Sequence, residues 1–220
     1  GRGRIPPGSG VEPALEDALA WLAAHQGDDG SWDGDGFSRR CGRVGATTCG
    51  GPGSAAHDVG LTALALLAFL GDGHTSEQGA YREVVARALL WLRDAQDPDS
   101  GLIGARSSRD FLYDHALATL ALCEAYYFSG SPRLQRPAQR AVNVILQARN
   151  PYGAWRYDLP PVGDSDTSVT GWMVFALASA KEAGLVGDFD AAFVGALGFL
   201  DEVSDPAAGA SATRPSASSR

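Results

Sequence analysis

Acidic side chains are the first groups in this sequence whose type and spacing suit chemistry. Asp164 and Asp166 stand two residues apart in the stretch Asp164-Ser165-Asp166-Thr167. Two carboxyls held together in a cavity push each other's pKa apart, and one of them can then stay protonated as a general acid. Asp58, Asp114 and Asp166 also share a pattern: each is followed four positions later by Thr or Ala. An acid at a helix start accepts orphan backbone N–H groups and complements the helix dipole. A role that recurs at three helices fits capping better than catalysis. Capping is therefore the favoured reading of all three acids. Asp166 as general acid with Asp164 as its partner is the alternative.

Metal ligation needs three or four converging donors. Asp114-His115 offers two, and His57-Asp58 with Cys41 and Cys49 offers a second set. Neither completes a known ligand pattern, so no metal site and no cofactor is expected. Asp28, Asp29, Asp33 and Asp35 do not complete a calcium loop, because the terminal bidentate Glu is absent. Cys41 and Cys49 share one glycine-rich loop and could pair in an oxidising compartment, whereas Cys123 sits in a helical apolar pattern and reads as core. Trp155, Tyr157, Trp172, Tyr113 and Phe111 fall at helix mouths or in the loops that feed them. Aromatic faces there either stabilise cations or simply pack. Trp155, Tyr157, Trp172, Tyr113, Asp114, His115 and Asp58 make up the candidate ligand-binding set. There is no P-loop, no Gly-x-Ser-x-Gly elbow and no dinucleotide fingerprint.

These residues must be positioned by helices, and the helices repeat. One kind ends in an apolar or aromatic run followed by Gln and a glycine turn: Trp21-Leu22 before Gln26 and Gly30, Trp91-Leu92 before Gln96 and Gly101, and Ala141 to Leu146 before Gln147 and Gly153. Ala196 to Leu200 begins a fourth copy without the turn. The other kind begins with Asp58, Asp114 or Asp166, at spacings of 56 and 52 residues, and stays apolar nearly all round. That period, about 54, is longer than that of tetratricopeptide or ankyrin repeats. All-round apolarity predicts burial on both sides, and charge on one face predicts an outer layer. Seven helices are expected, near 11–26, 57–71, 77–96, 112–129, 133–149, 166–184 and 188–203. Gly71, Gly130 and Gly184 are expected to stop three of them. The repeat domain covers 11–204. Residues 1–10 and the Ser/Ala/Pro-rich 205–220 are expected to be disordered. The loop 33–54 carries seven glycines.

Charge and hydropathy narrow the partners. A net charge of −8 argues against nucleic acid, which is bound through basic surface. The longest apolar run, 63–70, is far short of the roughly 18 residues of a membrane span. No signal-peptide pattern is visible, and the compartment stays open.

Leu22, Gln26, Gly30 and Trp32 have the spacing of the QW motif of squalene–hopene and oxidosqualene cyclases, and Gln147, Gly153 and Trp155 form a looser copy. The segment 101–122 resembles the entry to an inner helix of the farnesyltransferase β-subunit. Residues 11–203 as a whole are similar to bacterial proteins carrying prenyltransferase and squalene oxidase repeats. The resemblance implies an all-α fold, an α/α toroid of alternating inner and outer helices. It implies that Gln and Trp tie neighbouring hairpins together. It also points to Asp166, because cyclases protonate an alkene with the central Asp of Asp-x-Asp-Asp-Thr, although one Asp of that motif is missing here. The zinc ligands of the prenyltransferases are not matched, since no Asp-x-Cys occurs.

Closed toroids of this family use five to seven inner helices per domain, and this chain supplies three. An incomplete ring is therefore expected, one that associates with another chain to complete its surface. The expected function is binding of a hydrophobic isoprenoid-like ligand or a protein partner on the inner helical face. The alternatives are a squalene-type cyclase using Asp166 and a structural module of a larger envelope protein.

Overall fold

Runs of Ala and Leu interrupted by glycine turns dictate a chain of helical hairpins. The computed structural model describes residues 11–43, 49–51, 53–106, 108–205 and 210–211. Seven α-helices follow one another: α1 Val11–His25, α2 Asp58–Gly71, α3 Arg82–Asp94, α4 Phe111–Ser129, α5 Pro132–Gln147, α6 Thr167–Glu182 and α7 Phe189–Val203. Two short 3₁₀ turns, Phe37–Arg43 and Ala55–His57, lie between α1 and α2. The only pairing of strands among the described residues is a two-residue ladder of Ser204–Asp205 with Ala210–Ser211, after α7. The fold is all-α. The segments 1–10, 206–209 and 212–220, which hold most of the stretches expected to be disordered, lie outside the described residues.

The helices form two rows. α4 packs between α2 and α6, and these three make a central row. Thirteen of the 19 residues of α4 are buried, the pattern of a helix covered by neighbours on most sides. α3 packs on α2, α5 on α4 and α6, and α7 on α6. α5 has the clearest division of faces, burying Leu134, Ala138, Ala141, Val142 and Ile145 at helical spacing.

Helix ends mostly obey local rules. Gly130 closes α4 at φ 60°, and Gly184 follows α6 at φ 75°. α2 ends differently: Gly71 is its last residue, and the left-handed position is Gly73. α3 begins at Arg82 rather than near 77. The Thr75 hydroxyl accepts the N–H groups of Glu77 and Gln78, and Gly79 turns at φ 92°, so a folded-back turn occupies the residues before the helix.

Buried amides lock one hairpin to the next. The Gln26 amide donates to the carbonyls of Gly30 in its own turn and Val84 in α3, at 2.9 Å each. Its oxygen accepts from Arg87. Gln96 repeats this, donating to Gly101 and to Pro137 of α5 while accepting from Arg140. The third turn departs from the expected copy. Gln147 is exposed, and the buried amide is Asn150, which donates to the Asp164 carbonyl and the Ser165 hydroxyl. The longer turn moves the amide position three residues along the chain.

The indoles form the second lock. Trp32 donates its N–H to the Leu22 carbonyl, and Trp155 donates to that of Ile145, both ten residues back. The backbone N–H of each Trp meets a threonine of the central row, Thr62 or Thr170. In the middle repeat Ile103 replaces Trp, and its N–H meets His115 Nδ1 at 3.1 Å. Thr62, His115 and Thr170 are therefore equivalent, which places Phe111, not Asp114, level with Asp58 and Asp166. Asp114 sits nearly one turn deeper in its helix than the sequence spacing suggested.

Candidate functional site

The acids at the mouths of the central helices have three different jobs. Asp166 is the N-cap of α6, accepting the N–H groups of Ser168 at 2.9 Å and Val169 at 3.0 Å. Asp58 does not cap α2. Its carboxylate reaches across to the Gly34 N–H at 2.7 Å and anchors the loop after α1. Burial raises the Asp58 pKa above the ordinary carboxylate value, outweighing that hydrogen bond. Asp114 turns toward α2, lies against Gly60, and approaches His57 Nδ1 at 3.4 Å. A Cβ at Gly60 would collide with the Asp114 carboxylate. Burial raises the Asp114 pKa, and His57 only partly offsets it. Side-chain capping thus holds for Asp166 alone, while Asp58 and Asp114 stand as first-turn acids of α2 and α4. The register shift explains Asp114, and the approach of the Gly34 loop explains Asp58.

Tyr113, Tyr157 and Asp166 do come together. The two tyrosine rings lie 6.1 Å apart, Tyr157 points its hydroxyl at Asp166 at 3.4 Å, and Tyr113 donates to the Ser168 hydroxyl. Arg109 stands 4.7 Å and Arg156 5.6 Å from the Tyr157 ring centre. Arg156 also forms an ion pair with Asp164. Asp164 and Asp166 are therefore committed to different partners, and protein cations already occupy the surroundings of the aromatic ring that would face a carbocation.

Two members of the candidate ligand set are core. Trp155 is fully buried and its N–H is used in the turn lock, so it seals the fold instead of lining a surface. His115 is fully buried between the Ile103 N–H and the Ala141 carbonyl. Burial pulls its pKa down to about 4. One ring nitrogen accepts and the other donates, which is the pattern of the neutral imidazole.

Trp172 stands apart from the helix mouth where its sequence position placed it, on a surface shared by the central helices. A hollow of about 270 Å³ is lined by Leu64 and Leu67 of α2, Leu120 and Glu124 of α4, and Trp172 and Phe175 of α6. Leu64 also lines a hollow of about 300 Å³ with Trp21, Trp32, Phe37 and Leu61. Glu124 and Phe175 also line a third, of about 780 Å³, with Tyr127, Phe128 and Phe193. Shared residues join the three into one apolar face. Leu61, Leu64 and Phe175 are 40%, 46% and 56% exposed on it. The expectation that the central helices are buried on both sides is corrected here: among the described residues nothing covers one side of α2 and α6. The absence of any charge between Leu61 and Leu70 was the available signal.

Cys123 is buried in α4, and burial pushes its thiol up to about 12, as suits a core residue. Cys41 and Cys49 are free thiols. They do not join His57-Asp58, because His57 faces Asp114. They lie beside His25 at the end of α1. Hydrogen bonds from the Cys49 backbone and side chain hold the Cys41 thiol down at about 7. The tip of the acidic turn is closed by its own backbone, with Asp29 accepting from Ser31 and Asp33 from Gly36. Among the described residues no helix is long and apolar enough to cross a membrane. Compared with known proteins, the sequence matches no family model and no curated protein.

Proposed function

We propose that the open face of α2, α4 and α6 is the inner wall of an α/α-toroid arc and binds an extended hydrophobic ligand of isoprenoid type. The observation that carries this reading is the exposure of Leu61, Leu64 and Phe175 along contiguous hollows that are lined mainly by large apolar side chains, with Asp33, Glu124, Lys181 and Glu182 as their charged members. Large apolar groups in contiguous hollows are kept in water at a cost of about 25 cal/mol per Å², and a hydrocarbon occupant relieves it. The alternation of central and flanking helices and the Gln and Trp turn locks support the resemblance to cyclase and prenyltransferase repeats. The commitments of Asp164 and Asp166 give the cyclase reading no support.

The test is a titration of the full chain with farnesol and with squalene, followed by tryptophan fluorescence. Saturable binding is expected, and Leu64→Asp with Phe175→Asp should weaken it at least about tenfold. These positions are exposed, so thermal stability should change little. An affinity unchanged by the double substitution sinks the proposal. A protein partner that completes the ring is the competing occupant, and it appears as concentration-dependent self-association in sedimentation, abolished by the same variant.

A further inference from the structure

The strongest unassigned cluster lies at the C-terminal end of α1. His25 Nε2, Cys41 Sγ and Cys49 Sγ all lie within 4.8 Å of one another. Fold alone assembles them: Cys41 is carried on the 3₁₀ turn Phe37–Arg43, Cys49 on the glycine-rich loop, and His25 on the last turn of α1. His25 and Cys41 are buried and Cys49 is half-buried.

The geometry points to a binding site for a thiophilic d¹⁰ cation, Zn²⁺ above all, with His25, Cys41 and Cys49 as its protein ligands. This departs from the expectation of no metal, which rested on sequence spacing and paired the cysteines with the wrong histidine. The separation of Cys49 from His25 suits the cation. Tetrahedral Zn²⁺ with bonds near 2.3 Å to sulfur and 2.0–2.1 Å to nitrogen places its ligand atoms about 3.6 Å apart. Cys49 Sγ and His25 Nε2 are 3.7 Å apart.

The histidine is also prepared for the role. Its Nδ1 lies 2.8 Å from the Trp21 carbonyl, which makes Nδ1 the protonated nitrogen and leaves the Nε2 lone pair facing the sulfurs. The Trp21 indole stacks on the imidazole at 3.8 Å and holds its plane. Three protein ligands leave a fourth position for water or an added ligand. On binding, two S–H bonds break, two Zn–S bonds form and the two thiol protons leave to solvent, so uptake releases protons. Trp21 and Phe37, which flank the site, also line the apolar hollow with Leu61 and Leu64. The cation would thereby fix one wall of that hollow, although the site stands without the ligand proposal.

The experiment uses the full chain, reduced and chelator-stripped under argon, titrated with Zn²⁺ and with Co²⁺. One metal per chain is expected. Co²⁺ should give the thiolate charge-transfer band and the intense visible bands of a tetrahedral site. Cys41→Ser, Cys49→Ser and His25→Ala should each weaken Zn²⁺ binding by more than about 100-fold, beyond what losing a partner behind a ligand costs. Cys123→Ala should bind as the parent does. Circular dichroism checks each variant. Cys49→Ser, at the half-buried position, decides the matter if the other two lose helix. Helical parent protein that takes up no stoichiometric metal overturns the proposal. So does binding that survives Cys49→Ser, or a Cys41–Cys49 disulfide that forms as fast with Zn²⁺ present as without it.

Discussion

At the residue scale, buried polar groups with full sets of partners carry the fold's specificity. The Gln26 amide is wholly buried and serves two carbonyls and an arginine. Gln26→Ala strands those partners and should cost about 2–3 kcal/mol, read as a lower urea midpoint with an unchanged m-value. Asp166→Ala removes a cap and should cost about 1 kcal/mol, while Asp166→Asn, which still caps, should cost much less. Neither should alter hydrophobic ligand binding, since the cap serves the helix. His115 gives the pH dependence. Its folded pKa, about 4, lies below its ordinary unfolded value of 6.5. The unfolded chain takes up the proton first as pH falls. The stability His115 contributes is therefore complete above about 6.5 and is lost as pH falls through about 4, a change of about 3 kcal/mol. Urea midpoints measured across that window should fall for the parent and flatten for His115→Gln.

At the element scale, hairpins are joined where a glycine lets one backbone touch the next. Gly153, at φ 88°, lies against Gly195 of α7, and a Cβ at Gly195 would sit 2.7 Å from the Gly153 carbonyl oxygen. Gly30 has the same relation to Arg87 of α3, at φ 100°. The clash at Gly195 is with backbone, which cannot swing aside. Gly195→Ala should therefore push α7 outward and cost about 1–3 kcal/mol, with earlier amide exchange in α7 than in α4. The turns are also where sequence reading was most and least successful. The regular Gln26 turn was legible because its spacing is strict. The third turn is longer, so the visible Gln147 misled and Asn150 does the work. In the second, His115 takes the place of a threonine, and Asp114 was consequently aligned nearly one turn away from its true level.

At the scale of the whole molecule, the seven helices of the described residues form two rows, and among those residues nothing covers one side of the central row. An apolar face of that extent is where a ligand or another chain should act, and Leu64 and Phe175 are the positions through which either is tested. The candidate site residues divide by depth: Trp155 and His115 belong to the core, Tyr113, Tyr157 and Asp166 to a polar mouth, and Trp172 to the open face. Only Trp172 lines the exposed face, and its sequence position had placed it with the others at a helix mouth.

The helices and their alternation were determined by sequence alone, because periodicity, caps and glycine stops act over a few residues. The Gln26 lock and the core character of Cys123 were legible for the same reason. Tertiary structure decided which apolar side of α2 and α6 stays open, since an all-round apolar helix carries no periodic mark of its exposed face. It decided that Asp58 anchors a loop while Asp114 meets His57, because both depend on partners 24 and 57 residues away. And it brought His25 to Cys41 and Cys49, a convergence that depends on the packing of the 3₁₀ turn Phe37–Arg43 against α1, which no spacing in the chain records.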